Sequence, residues 1–138
     1  MMASSPANPR VVVPTKALAA PRFRYSPVVV AHPFAFVSGL VGLDPATGAL
    51  ATGGAYGQTV QILANFTALL QEQGWSLSQL VVARLFCTSP DGAASMNQAW
   101  EELFKDEVPP ARTSVIVAGL PLGAEVEIEF QLVLTQGA

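Results

Sequence analysis

Two stretches of the chain carry apolar residues at the spacing of an amphipathic helix. Over residues 55–73 an apolar side chain returns every third or fourth position, and Gly74 then stands where glycine commonly ends a helix. The predicted apolar stripe is Tyr56, Val60, Leu63, Phe66 and Leu70, and the other faces carry Gln58, Gln61, Asn65 and Gln71. A second helix is predicted from Ala93 to about Phe104, with an apolar stripe of Met96, Trp100, Leu103 and Phe104.

Shorter segments have the composition of β-strands. They are residues 22–30, 34–38, 80–87, 112–117 and 125–134, and a His32-Pro33 turn separates the first two. The segment 80–87 is apolar on both sides apart from Arg84, which predicts a central strand covered on both faces. The last segment alternates strictly, with apolar residues on one face. The other face carries Glu125, Glu127, Glu129 and Gln131.

These elements follow one another in the order β-β-α-β-α-β-β. A sheet backed on one face by both helices buries the predicted stripes most simply, so we expect a single α+β domain. The turn at 119–123 predicts a hairpin in which the strands 112–117 and 125–134 are neighbours. Residues 1–20 are rich in proline and small residues, and we interpret them as a partly ordered N-terminal tail before a domain at 21–138.

The composition adds an expectation about assembly. Only 12% of the 138 residues are charged, against about 25% in a typical domain. The mean hydropathy is +0.41, which is more than one small core demands. We therefore expect apolar surface to be buried between subunits, although an ordinary surface on an alanine- and valine-rich chain is the alternative.

Several kinds of chemistry are disfavoured by composition. A single cysteine, Cys87, and a single histidine, His32, disfavour a disulfide framework, a zinc site and a Ser-His-Asp triad. We interpret Cys87 as a buried apolar residue and His32 as a surface residue. Every acidic residue lies from Asp44 onward, and this acidic body disfavours nucleic-acid binding. No apolar run approaches the roughly eighteen residues of a membrane span, and no signal peptide is recognisable, so the cytoplasm is the expected location.

The candidate chemistry lies in the last two predicted strands. Arg112 begins the first of them, and its planar guanidinium suits a carboxylate. If a substrate carboxylate binds Arg112, a nearby glutamate is free to hold and polarise a water molecule. Pattern alone does not choose among Glu125, Glu127 and Glu129, and it leaves open that Arg112 only pairs with these glutamates.

Motifs along most of the chain support a family assignment. The C-terminal ones are Pro110-Ala111-Arg112-Thr113-Ser114-Val115, Leu120-Pro121 and Glu125-Val126-Glu127-Ile128-Glu129. The earlier ones are Phe36-Val37-Ser38-Gly39, Asp44-Pro45 with Thr47-Gly48, Gln58-Thr59 with Asn65, and Met96-Asn97 with Trp100-Glu101 and Phe104. Taken together, from about Tyr25 to Leu134, they resemble the RidA/YjgF family of enamine/imine deaminases.

The resemblance implies an architecture and a reaction. The fold would be chorismate-mutase-like, and the assembly a homotrimer with active sites in the clefts between subunits. The reaction would be hydrolysis of 2-enamino or 2-imino acids, such as 2-aminoacrylate, to 2-keto acids and ammonia, with no cofactor and no metal. Neither nucleic acid nor membrane would be a partner.

The resemblance also assigns roles to residues. Arg112 would bind the substrate carboxylate, and Glu127 would orient the attacking water. The backbone of Ser114 and of Gly39 would line the pocket, Gly39 because it has no Cβ. Tyr25 would form a wall across the subunit boundary or serve as interface packing. Asn97 would contact the pocket or have a structural or helix-capping role.

Departures from the family pattern leave the substrate open. Leu40 stands where the family often has Gln, Pro27 replaces a polar residue, Ser114 stands where some members have Cys, and Phe130 adds bulk to the last strand. Three of these, Leu40, Pro27 and Phe130, are expected to favour a larger or less polar substrate. The alternatives are therefore a pathway-specific deaminase of a bulkier imine and a non-catalytic trimer that binds a keto acid; RNA cleavage is disfavoured by the acidic body.

Overall fold

A computed structural model describes residues 9–134 of the chain. The strands are β1 (Val11–Val12), β2 (Val28–Ala31), β3 (Phe34–Leu40), β4 (Leu80–Cys87), β5 (Ala111–Ile116) and β6 (Val126–Val133). The helices are α1 (Gly54–Gln73) and α2 (Pro90–Leu103), and short 3₁₀ turns lie at Leu77–Gln79 and Pro121–Gly123. The predicted order of helices and strands is confirmed, with one extra short strand, β1, at its start.

The strands form one six-stranded mixed sheet in the order β1-β2-β3-β6-β4-β5. Strand β5 pairs only with β4, in parallel, and β4 separates it from β6. The predicted hairpin between the last two strands is therefore wrong. A parallel β4–β5 pair requires a crossover connection, and α2 provides it. Strand β6 then inserts antiparallel between β3 and β4, in the centre of the sheet.

Both helices pack on one face of the sheet, as expected. In α1 the buried apolar residues include Ile62, Phe66 and Leu69, whereas Tyr56 and Val60 are exposed. At the N-terminal end of α1, the buried face is therefore rotated about the helix axis relative to the predicted apolar stripe. The stacked rings of Phe66 and Phe130, with centroids 3.8 Å apart, join α1 to the centre of the sheet.

Two polar residues of α1 that were predicted to face outward are buried instead. The Oε1 atom of Gln58 accepts a hydrogen bond from the backbone N–H of Glu125 at 2.9 Å. The Nδ2 atom of Asn65 donates to the carbonyl of Leu43 at 2.7 Å. These side chains are tolerated in the interior because they satisfy backbone groups of loops that lack a strand partner. They fix two loops beside the sheet, and both loops border the site described below.

The other face of the sheet is open. Along β4, Val81 and Arg84 are exposed, so this strand is central but covered on one face only, and the expectation of two covered faces is wrong for the chain alone. Neighbouring strands add Phe34, Phe36 and Val115 to the same surface, all partly exposed. This surface, the open face, also carries Glu127 and Glu129 of β6.

The N-terminal segment packs against the domain from residue 9 onward. Strand β1 pairs with β2, and the side chains of Val13 and Leu18 are buried in the core. The carboxylate of Glu72, near the end of α1, accepts hydrogen bonds from the Thr15 hydroxyl at 2.5 Å and the Lys16 N–H at 2.8 Å. Of the predicted tail at 1–20, residues 1–8 lie outside the described residues, as do residues 135–138.

Neither helix within residues 9–134 combines the length and the apolar composition needed to cross a bilayer.

Candidate functional site

A cavity of about 120 Å³ opens beside β3 and β6. Three of the residues predicted from the sequence, Tyr25, Gly39 and Glu127, line it. The remaining lining residues are Leu18, Ala19, Ala20, Arg22, Phe23, Pro27, Leu40, Val41, Leu43, Asn65, Pro121 and Leu122. The cavity is thus mostly apolar, with one carboxylate and one guanidinium in its wall.

An irregularity between β3 and β6 brings Gly39 against Glu127. The pairing shifts between Val37 and Leu40, so Ser38 and Gly39 together lie opposite one residue of β6. A Cβ on Gly39 would lie 2.3 Å from Oε2 of Glu127. Gly39 therefore lacks a side chain for a specific reason: the carboxylate of Glu127 occupies that space. The sequence predicted that a ligand would approach Gly39 closely, but in the structure the Glu127 side chain makes that approach.

The surroundings of Glu127 make its carboxylate more basic than that of an ordinary glutamate. Burial raises the pKa of Glu127 above its ordinary value, and the negative charge of Glu129 raises it further. Glu129 is itself paired with Arg84, whose Nη1 lies 3.2 Å from the Glu129 Oε1 atom on the exposed part of the open face. Of the three glutamates that the pattern could not separate, Glu127 is therefore the one in the cavity with a perturbed pKa, which is typical of functional groups.

The wall of the cavity includes residues that sequence reasoning missed. Leu18, Ala19 and Ala20 belong to the segment interpreted as a tail, and Arg22 to one interpreted as a strand. The Nη2 atom of Arg22 donates to the carbonyl of Gly48. The sequence did contain a signal, because four of its seven Lys and Arg residues, Arg22 among them, precede the first acidic residue, Asp44.

Arg112 lies in a different part of the molecule. Its guanidinium carbon is 5.6 Å from the centre of the Trp100 ring of α2, on the helix side of the sheet. Arg112 pairs in register with Ala83, whereas Glu127 pairs with Phe86. Because positions three apart on one strand face opposite sides of a sheet, Arg112 and Glu127 point to opposite faces and lie two strands apart. The predicted pair does not meet within one chain.

Ser114 and Asn97 lie near Arg112 and not in the cavity. The N–H of Val117 donates to the carbonyl of Cys87 at 2.8 Å, and hydrogen-bonding direction alternates along a strand. The N–H of Ser114 therefore points away from β4, toward the free edge of the sheet. Asn97 lies in the interior of α2, one turn before Trp100, whereas the helix is capped by Ser89. Among the described residues, the Oδ1 atom of Asn97 is buried without a hydrogen-bond partner.

The predicted site residues thus form two groups. Tyr25, Gly39 and Glu127 surround the cavity, whereas Asn97, Arg112 and Ser114 lie at the β5 edge. Strand β5 is exposed along its whole length and presents unpaired backbone groups. Each group by itself lacks one component of the predicted site. The group around the cavity lacks Arg112, and the group at the β5 edge lacks the predicted base, Glu127.

The departures from the family pattern also divide. Leu40 and Pro27 line the cavity, as the expectation about the substrate requires. Phe130 does not, because it is 2% exposed and stacks on Phe66 in the core. The expectation that Phe130 reshapes the pocket is wrong, since alternation along β6 turns its side chain away from the face that carries Glu127. No three His, Cys, Asp or Glu side chains of residues 9–134 cluster in a way that could hold a metal ion.

Comparisons with known proteins find a matching family model, related sequences and related structures. A family model described as endoribonuclease L-PSP matches residues 15–133. A RutC family protein of Aquifex aeolicus is 40% identical over 107 residues, covering 77% of this chain and 85% of the relative. A 2-iminobutanoate/2-iminopropanoate deaminase of Capra hircus is 32% identical, covering 76% of each chain. The crystal structure of RidA from a Psychrobacter species superposes with a TM-score of 0.82 at 32% identity, covering 89% of this chain and 98% of that one.

Proposed function

The chain belongs to the RidA/YjgF family, and on that premise we propose that it hydrolyses reactive 2-enamino and 2-imino acids to 2-keto acids and ammonia. The observation that carries the proposal is the Glu127 carboxylate, held against Gly39 in an apolar cavity with a raised pKa. A carboxylate with a raised pKa is a stronger base toward water than an ordinary glutamate.

The proposed site is completed by a second copy of the chain. Arg112 and Glu127 point to opposite faces of one sheet, so a substrate that touches both needs them from different subunits. The free edge of β5 and the partly apolar open face supply surface for such a contact, and a homotrimer is the assembly that the family resemblance implies. Arg112 would then lie at the mouth of the neighbouring cavity, with the outward N–H of Ser114 beside it.

The proposed reaction uses these groups in order. Arg112 binds the substrate carboxylate, which fixes the position of the adjacent imine carbon. Glu127 orients a water molecule and takes one of its protons as the oxygen bonds to that carbon. The proton is returned to nitrogen, the carbon–nitrogen bond breaks, and the carbon–oxygen double bond forms. One imino acid and one water thus give one keto acid and one ammonia, with no redox change.

Semicarbazide trapping tests the proposal. An amino-acid oxidase generates the imine in place, and the imine that survives is captured as its semicarbazone. We expect the protein to reduce the captured amount, and Arg112→Ala to abolish the effect while the assembly, measured by light scattering, stays intact. Loss of the effect for every imine, together with keto-acid binding, would instead indicate a non-catalytic binding protein. Unchanged turnover by Arg112→Ala would remove Arg112 from the mechanism.

RNA cleavage is the competing activity named by the matching family model. The net charge of −3 opposes it, because phosphate backbones are bound by basic surfaces. Incubation of the protein with a labelled single-stranded RNA distinguishes the two activities. Cleavage that persists in Glu127→Gln and Arg112→Ala would come from elsewhere on the surface or from a contaminant.

A further inference from the structure

The cavity beside Glu127 has a chemical character that bears on the substrate. Its wall includes Leu18, Phe23, Pro27, Leu40, Leu43 and Leu122. Among the described residues that form this wall, Glu127 and Arg22 are the charged ones, and Arg22 is exposed. Asn65 also lines it, but its Nδ2 donates to the Leu43 carbonyl and its Oδ1 accepts from Gln61. Few polar groups in this wall remain to meet a polar substrate group.

The geometry limits which part of a substrate enters the cavity. An imine carbon has three substituents: the carboxylate, the nitrogen and the side chain. This step rests on the proposed function. There, Arg112 of another copy binds the substrate carboxylate, and Glu127 orients the water that attacks the imine carbon. In that arrangement Arg112 stands at the mouth of the cavity, so the carboxylate that it binds stays at the mouth. The branch that extends past Glu127 into the apolar space is therefore the side chain.

We propose that the preferred substrates carry a branched apolar side chain about the size of that of leucine. The cavity measures about 120 Å³. A dry apolar cavity of about 150 Å³ holds a benzene molecule, so the smaller space holds a branched four-carbon group well and leaves a methyl group poorly packed. Leu40, the last residue of β3, and Pro27, just before β2, are the specificity-determining residues, because both line this space.

Competition between substrates provides the first test. Imines generated by oxidases from L-2-aminobutanoate, L-leucine and L-glutamate are compared by kcat/KM. We expect the leucine-derived imine to exceed the aminobutanoate-derived one by at least about tenfold, the lower limit for one added methylene in a fitted pocket. An equal or reversed ratio overturns the inference and leaves the proposed function standing. A preference for the glutamate-derived imine, lost in Arg22→Gln, overturns it in favour of a second carboxylate bound by Arg22.

A pair of matched variants tests the assignment to Leu40. Leu40 and Leu77 are both partly buried against the core, but only Leu40 lines the cavity. We expect Leu40→Gln to lower kcat/KM for the leucine-derived imine several-fold more than for the aminobutanoate-derived one. Leu77→Gln should leave this ratio unchanged. A ratio that both variants shift alike would show a general loss of stability and would overturn the role of Leu40.

Product binding separates this inference from the proposed function. Calorimetry measures how tightly the protein binds 4-methyl-2-oxopentanoate, 2-oxobutanoate and 2-oxoglutarate. It therefore tests the size preference of the cavity without requiring turnover. If no imine is hydrolysed but the branched keto acid binds most tightly, the proposed reaction is wrong and the size preference stands. If no keto acid binds and no imine is hydrolysed, both are wrong.

Discussion

The contact between Gly39 and the Glu127 carboxylate gives a prediction at the scale of one residue. A methyl group on Gly39 would lie 2.3 Å from the Glu127 Oε2 atom, so Gly39→Ala must move that carboxyl group. Only the flexible end of a side chain has to shift, and Gly39 has no positive φ, so the fold should keep its melting temperature. We expect turnover to fall on the order of 100-fold, because a displacement of about 1 Å has that effect on catalysis.

The control for this change is Gly119→Ala. A Cβ on Gly119 meets nothing within 4 Å, so neither stability nor turnover should change. The turnover rate and the melting temperature of both variants test this prediction. Full activity in Gly39→Ala would mean that the position of the Glu127 carboxylate is not critical.

The neighbouring carboxylates predict a pH dependence. The charge of Glu129 raises the pKa of Glu127, and Arg84 of β4 pairs with Glu129. A general base is inactive when protonated, so kcat/KM should fall as pH falls through this raised pKa. Glu129→Gln removes one cause of the rise and frees Arg84, so the acid limb of the profile should move to lower pH. It should stop short of the ordinary value because burial still acts.

Glu125→Gln, one residue before β6 begins, is the matched control. Glu125 makes no contribution to the pKa of Glu127, and its backbone N–H, which Gln58 binds, is kept in the variant. The acid limb should therefore stay in place. A limb that moves equally in both variants would indicate a response to net charge and not to the adjacent carboxylate.

The sequence predicted which residues belong to the site better than it predicted which of them lie close together. Gly39 and Glu127 meet because they lie on the neighbouring strands β3 and β6. Tyr25, expected to act across a subunit boundary, lines the cavity of its own chain. The pairing of Arg112 with Glu127 was wrong for one chain, because it rested on a hairpin. Leu18 and Arg22 were missed as cavity residues, since nothing in a proline-rich segment shows which surface it packs against.

At the scale of elements, one carboxylate of α1 helps to hold the N-terminal segment against the domain. Glu72 accepts hydrogen bonds from Thr15 and Lys16, just before the residues that form a wall of the cavity. These bonds lower the pKa of Glu72 below its ordinary value of 4.5. The ionised form is the one that binds, so its contribution to stability is present above that value and is lost as pH falls through the lowered pKa.

Glu72→Gln should therefore destabilise the protein near neutral pH by no more than about 1 kcal/mol, because the contact is exposed to solvent. The difference in melting temperature should disappear in acid, where the parent carboxylate is protonated. A loosened cavity wall should also raise KM more than it lowers kcat. Glu107→Gln, at an exposed position beyond α2, is the control. A difference that persists unchanged in acid would contradict the role of ionised Glu72.

Hydrophobic periodicity predicted the elements well and their arrangement less well. Strand β4 and both helices were found because their patterns are local. The insertion of β6 between β3 and β4 was not, because strand order depends on which non-local pairing covers the most apolar surface. The rotation of α1 has a similar cause: Gln58 and Asn65 are buried to bind loop backbone, which no amphipathic pattern records.

At the scale of the whole molecule, the open face of the sheet leaves apolar side chains exposed to solvent. Phe34, Phe36 and Val115 are each exposed by 38–42%, and they surround the strand that carries Glu127. Beside them, β5 leaves backbone groups of Arg112 and Ser114 unpaired at the sheet edge. A second copy placed against this surface would cover apolar area and bring an arginine to the cavity, so assembly and catalysis are proposed to share one interface.

Mixing two inactive variants tests this shared interface directly. Arg112→Ala and Glu127→Gln should each be inactive alone, since every site then lacks one group. If each site takes its arginine from one subunit and its glutamate from the next, random reassembly of equal amounts should restore about a quarter of the wild-type sites. Two neighbouring subunits contribute to each site, and each of them has a one-in-two chance of carrying the intact residue that the site needs. The two chances multiply to one quarter, whatever the number of subunits in the ring.

The measurement is imine hydrolysis after the two variants are dissociated, mixed and reassembled. A mixture of Arg112→Ala with the double variant is the control and should stay inactive, because no subunit then supplies the arginine. Activity near a quarter requires residues from two copies. Inactivity of the equal mixture, with mixed assemblies verified by mass spectrometry, would mean that both residues act within one chain, against the opposite faces on which the sheet places them.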